Sequence, residues 1–65
     1  MKLLWNLDNT VAIPIKTIEK FVIYERDDNS WYVQAWINET TYSNVFVAES
    51  KSKCINFIDK LEEYL

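Results

Sequence analysis

The chain contains no glycine and no histidine, and only one proline and one cysteine in 65 residues. Each absence removes a class of chemistry. Without histidine, the Ser–His–Asp and Cys–His arrangements cannot be built and the commonest general base is missing. Without glycine there is no phosphate-cradling loop and no dinucleotide-binding turn. A lone Cys54 closes no disulfide within the chain, and four-ligand zinc sites lack their nitrogen and sulfur donors. Cys54 has no base beside it and falls on the apolar face of a helical pattern. It reads as a core thiol, although a nearby helix N-terminus is a feature that can lower a thiol pKa. Of the ten carboxylates, Asp27–Asp28 and Glu62–Glu63 are adjacent pairs, read as a solvated turn and a solvated helix face. A glycosidase-type pair needs carboxyls held across a cleft, which a thin domain scarcely offers. Asp27-Asp28-Asn29 lacks the further oxygen ligands and the sharp-turn glycine of a calcium loop. The expectation is a protein that is not an enzyme and holds no cofactor or metal.

The seven basic residues are scattered and the formal net charge is −3. Direct binding to DNA or RNA leans on clustered Lys and Arg, so it is not expected here. No apolar run is long enough to span a bilayer, and the basic N-terminus is not followed by the apolar stretch of a signal peptide. Together with the single thiol, this predicts a cytoplasmic protein without a membrane partner.

What the chain does have is aromatic residues: three Trp, four Tyr and three Phe. A chain of this length buries only about 60% of the surface its unfolded form exposes, so large side chains must supply the core. Residues 1–65 are expected to form one domain. Polar clusters at Asp8-Asn9, Asp27-Asp28-Asn29-Ser30, Asn38-Glu39-Thr40-Thr41 and Glu49-Ser50 divide the chain into short apolar segments, with Asn and Asp supplying the positive φ that tight turns need. Residues 2–7, Val11–Ile13, Phe21–Arg26, Trp31–Ile37 and Tyr42–Ala48 read as strands, all within 2–48. Pro14 marks an edge or a break, and Lys16–Glu19 fits either a turn of helix or a loop. From about 51 to 65 the period changes. Cys54, Phe57, Ile58, Leu61, Tyr64 and Leu65 share one helical face, and Asn56, Asp59, Lys60 and Glu63 the other; Ser50 or Ser52 is a suitable N-cap. The predicted fold class is α+β: an antiparallel sheet of four to five short strands with one C-terminal helix packed on one face.

A register argument singles out a candidate site. A two-residue turn at Asp28-Asn29 places Val22, Tyr24 and Arg26 on one face with Trp31, Val33, Ala35 and Ile37. A second turn at Glu39-Thr40 adds Tyr42, Asn44, Phe46 and Ala48. That apolar face is the natural seat of the helix. The opposite face carries Phe21, Glu25, Ser43, Glu49 and a central patch of Ile23, Tyr32, Gln34, Trp36, Val45 and Val47. No element remains to cover that patch, which makes those six residues the candidate protein-interaction surface.

Leu7-Asp8-Asn9-Thr10-Val11-Ala12-Ile13-Pro14-Ile15, Ile18, Phe21-Val22-Ile23, Trp31 to Trp36 and the closing helix resemble a broad group of tiny single-domain proteins from Gram-positive bacteria and their phages. These are built as an antiparallel sheet followed by one helix. The group has no assigned activity, so the resemblance implies a fold and no functional residue. The function expected is a small non-enzymatic interaction or regulatory module, phage- or mobile-element-encoded, that modulates a host protein. Self-pairing into a homodimer, across the open face or along an edge strand, accompanies that reading. An alternative is an acidic nucleic-acid mimic acting through Glu25, Asp27, Asp28 and Glu49 as an inhibitor of a DNA-binding or nuclease protein. A further alternative is a small-ligand carrier.

Overall fold

In the computed structural model, which describes residues 2–63, asparagine stands where the chain would otherwise need glycine. Among the described residues, positive φ occurs at Asn9 (58°) and Asn29 (66°). The short amide side chain tolerates this region better than a branched or bulky one. Asn9 closes the loop between β1 (Leu3–Trp5) and β2 (Ala12–Pro14). Its amide donates to the Asn6 carbonyl, while the Asn6 Oδ1 accepts the amides of Thr10 and Val11. Asn29 closes the loop between β3 (Lys20–Glu25) and β4 (Trp31–Trp36). The connection from β4 to β5 (Tyr42–Ala48) uses a side chain instead: Asn38 Oδ1 accepts the amides of Thr40 and Thr41.

The fold is α+β, with one C-terminal helix packed against antiparallel sheet. The strands do not form one sheet as expected, however. β1 and β2 make a 2-stranded sheet, and β3, β4 and β5 a 3-stranded one in that order. Pro14 ends β2, and a 3-10 turn at Ile15–Thr17 redirects the chain before β3 begins. Helix α1 spans Lys51–Glu62, and Ser50 is its N-cap residue, though its hydroxyl makes no capping hydrogen bond. Tyr64 and Leu65, assigned from sequence to its apolar face, lie outside the described residues.

One hydrophobic cluster joins the helix, the small hairpin and the inner side of the larger sheet. Val33, Ala35 and Cys54 are at 0% exposure. Leu4, Ile13 and Ile15 enter from the hairpin side, and Leu61 from the helix. Phe57 of α1 stacks on Phe46 of β5 at 4.2 Å between ring centroids, and the Cys54 thiol donates to the Trp31 carbonyl at 3.6 Å. On α1, Phe57 and Ile58 are half-buried while Asn56, Asp59 and Lys60 are exposed, as the helical period predicts.

The sheet register corrects the face assignment twice. The β3–β4 loop has three residues, Asp27, Asp28 and Asn29, because the Arg26 amide donates to the Ser30 carbonyl and Glu25 lies opposite Trp31. Three-residue hairpin loops of this kind end in a left-handed residue, and Asn29 supplies it. One residue of slip turns every β3 side chain over. Phe21 and Ile23 therefore face the core, and Val22 and Tyr24 face outward. The second correction combines a β4–β5 loop of three residues, 38–40, in place of the two-residue turn at Glu39-Thr40, with a β-bulge further along: the Ile37 amide donates to the Thr41 carbonyl and Trp36 lies opposite Tyr42. Val33 pairs with Phe46 but Gln34 pairs with Asn44, so Val45 is the extra residue and turns inward at 6% exposure. Beyond the bulge, Asn44 and Tyr42 lie opposite Gln34 and Trp36 on the outer side.

Candidate functional site

The outer face of β3–β4–β5 is an aromatic ladder built by the register itself. Residues directly opposite on antiparallel strands share a face with their Cβ atoms close enough for rings to stack. Tyr24 lies opposite Tyr32, and their rings stack at 5.5 Å with an interplanar angle of 22°. Trp36 lies opposite Tyr42, and these stack at 4.6 Å and 28°. A cation sits over each pair: Lys20 Nζ is 5.0 Å from the Trp36 ring and the Arg26 guanidinium 5.1 Å from Tyr32. The polar atoms on this face are mutually engaged. The Tyr24 hydroxyl donates to Asn44 Oδ1 at 3.3 Å, and Trp36 Nε1 donates to Gln34 Oε1 at 3.2 Å. Val22 and Val47 fill the remaining outward positions on β3 and β5, and the helix lies on the other side of the sheet.

Of the six residues singled out from sequence, Tyr32, Gln34, Trp36 and Val47 are on this face. Ile23 and Val45 are not: Ile23 packs against the core cluster and Val45 belongs to it. The face gains Lys20, Val22, Tyr24, Arg26, Tyr42 and Asn44, which the inferred register had assigned elsewhere or not at all. The signal that could have found them is the Asp-Asp-Asn loop, whose last residue suits the left-handed position of a three-residue turn. No sequence signal announces the bulge.

Where the face meets the first hairpin, Asn6, Leu7, Asp8, Arg26, Tyr32, Ser43 and Asn44 line a mostly polar surface hollow. The Leu7 amide donates to the Asn44 carbonyl at 3.0 Å and anchors one wall of it. A second surface hollow, lined mainly by apolar atoms, lies between β5 and α1 at Phe46, Lys53, Asn56, Phe57 and Lys60, and a small-ligand carrier could use either. The carboxylates of the nucleic-acid-mimic reading gather at the β3–β4 turn and just beyond β5. Two of them are engaged by the chain itself. The Ser30 amide, and then its hydroxyl, hold the Asp28 carboxyl below its ordinary value, and the Lys53 ammonium does the same for Glu49. Burial raises the Cys54 thiol above its ordinary value, the reverse of what a nucleophile needs. Among the described residues, no group of three or more His, Cys, Asp or Glu could hold a metal ion, and no helix is long and apolar enough to cross a membrane.

Comparison of the chain with protein-family models, with curated proteins and with solved structures yields no match.

Proposed function

We propose that this chain is a non-enzymatic protein-interaction module that modulates a partner protein through the outer face of β3–β4–β5. The observation carrying the reading is the pre-stacked ladder Tyr24–Tyr32 and Trp36–Tyr42 on the side of the sheet away from the helix. Aromatic side chains already held in place lose little rotamer freedom on binding, which is how interface anchors gain affinity. Tyr42 and Val47, at 47% and 42% exposure, stand at the accessible rim along β5. The ladder disfavours single-stranded nucleic acid as the occupant. Base stacking needs open ring faces, and here the rings lie against one another and under Lys20 and Arg26. The face presents these two cations and no carboxylate, although the whole chain is acidic, so the partner surface it complements is acidic with an apolar centre. In a phage- or mobile-element setting that partner would be a host protein.

A photo-crosslinking residue at Val47, on the same face but outside the stacked pairs, expressed in the source cell, tests the reading. The expected result is crosslinking to one discrete protein that is lost when Tyr32→Ala and Trp36→Ala are added together, with the far-UV spectrum unchanged. With the partner in hand, Trp36→Ala alone should weaken binding about tenfold or more. Crosslinking that is absent, or indifferent to both substitutions, would reject the outer face as the binding surface.

A further inference from the structure

The two edges of the larger sheet are finished differently. On β5 the bulge at Val45 interrupts the ladder, and the outward-pointing Asn44 carbonyl is taken by the Leu7 amide. On β3 the edge is open. The Arg26 amide bonds to the Ser30 carbonyl, so antiparallel alternation turns the backbone groups of Tyr24, Val22 and Lys20 toward β4. Those of Phe21, Ile23 and Glu25 then point away from the sheet, and no tertiary backbone hydrogen bond between described residues reaches them. Proteins blunt such edges with proline, bulges or inward charges. Between Phe21 and Tyr24 the strand has none of these, and Lys20 at its start lies over its own Trp36.

We infer that β3 pairs antiparallel with β3 of a second copy, about a two-fold axis through Val22, joining the 3-stranded sheets of both copies into one. The register follows from the faces, because residues opposite each other must share one. Centring on Val22 sets Val22 beside its counterpart and Lys20 beside Tyr24 on the outer side, with Phe21 beside Ile23 on the core side. Each of these is a favourable apolar or cation–aromatic neighbour pair. Centring on Ile23 instead would oppose Lys20 to Arg26 and Phe21 to Glu25, which places unlike neighbours along the middle of the strand, whereas the Val22 register sets like charges together only at its ends, where Glu19 meets Glu25. Over Lys20–Tyr24 the strand matches itself, and this makes a second copy, rather than a foreign strand, its occupant. Phe21 and Ile23, half-buried at the rim of the core, are covered by the pairing. Of the outer face only Lys20, Val22 and Tyr24 on β3 border this seam, while Tyr32, Trp36 and Tyr42 lie on the strands away from it, so substitution of Trp36 separates the two surfaces.

Sedimentation equilibrium of the full chain from low to high micromolar concentration should reveal a species of twice the 7.8 kDa chain mass. Because each copy carries a net charge of −3, the dimer should strengthen as salt is added. Val22→Lys places two ammonium groups on the axis and should leave a monomer with an unchanged far-UV spectrum. Val22→Cys should give a disulfide-linked dimer on mild oxidation. Opposed residues of a non-hydrogen-bonded pair have Cα atoms about 4.5 Å apart, within disulfide reach, whereas the buried Cys54 of the wild type should not crosslink. Trp36→Ala should remain dimeric. A monomeric wild type at every concentration overturns the inference, as does a dimer that survives Val22→Lys or one that Trp36→Ala abolishes in a folded chain. Should Val22→Lys unfold, Val22→Cys decides: crosslinking supports the pairing and its absence rejects it.

Discussion

Asn29 adopts a conformation that costs most L-residues about 1–2 kcal/mol, and its asparagine side chain lessens that cost. Replacing it with glycine should therefore preserve or raise stability, whereas Asn29→Ala should lower it by about 1 kcal/mol, or about 4–8 °C in a domain of this size. Thermal unfolding of the two variants side by side reads the difference. At the same turn, the Ser30 amide holds the Asp28 carboxyl below its ordinary value of 3.8. A depressed carboxylate contributes stability above that value, and the contribution is lost as pH falls through the lower, folded value. Asp28→Asn should thus lower stability slightly at neutral pH and leave the acid end of a stability–pH profile unchanged, so that its acid limb flattens. Cys54 shifts the other way. Burial favours the neutral thiol, so its stabilisation is present below its ordinary value of 9.0 and fades as pH rises beyond it. At pH 8 a thiol reagent should react with Cys54 at a rate set by opening of the fold, and denaturant should accelerate it sharply. Fast labelling of the native chain would contradict the buried placement.

Among the elements, the helix was the most legible from sequence and the sheet the least. A period of 3.6 placed Cys54, Phe57, Ile58 and Leu61 toward the core without any knowledge of what they pack on. The same element has an imperfect start. No acidic residue lies in its first turn, which carries Lys51 and Lys53, and the Ser50 hydroxyl does not cap it. Ser50→Asp should satisfy an amide and oppose the helix dipole, raising stability by about 0.5–1 kcal/mol in denaturant titrations. The strands were visible from their β-branched and aromatic runs, but which face each presents depends on loop length. A turn of two residues or of three at Asp27–Asn29 leaves the same composition and inverts β3, so Ile23 and Tyr24 exchange places. The three-residue loop at 38–40 does the same for the first half of β5, up to the bulge at Val45.

At the scale of the whole molecule, stability rests on a thin cluster with Val33, Ala35 and Cys54 at its centre. Val33→Ala should cost about 2 kcal/mol, a large share of what so small a domain commands. Equilibrium unfolding of this variant measures the cost directly. Packing the helix and the β1–β2 hairpin into one cluster with the inner side leaves Tyr24, Tyr32, Trp36 and Tyr42 to stack on the other. By itself the sequence determined what this protein lacks, its α+β class, the positions of its strands and helix, and that asparagine would serve where glycine was missing. These follow from residue chemistry and local periodicity. Only the tertiary structure decided that the strands divide into two sheets, that Ile23 and Val45 turn inward, and that Tyr24 and Tyr42 complete the outer ladder. Strand pairing sums over long-range contacts, so a single residue of slip is settled by which register buries the apolar set, and not by any local propensity.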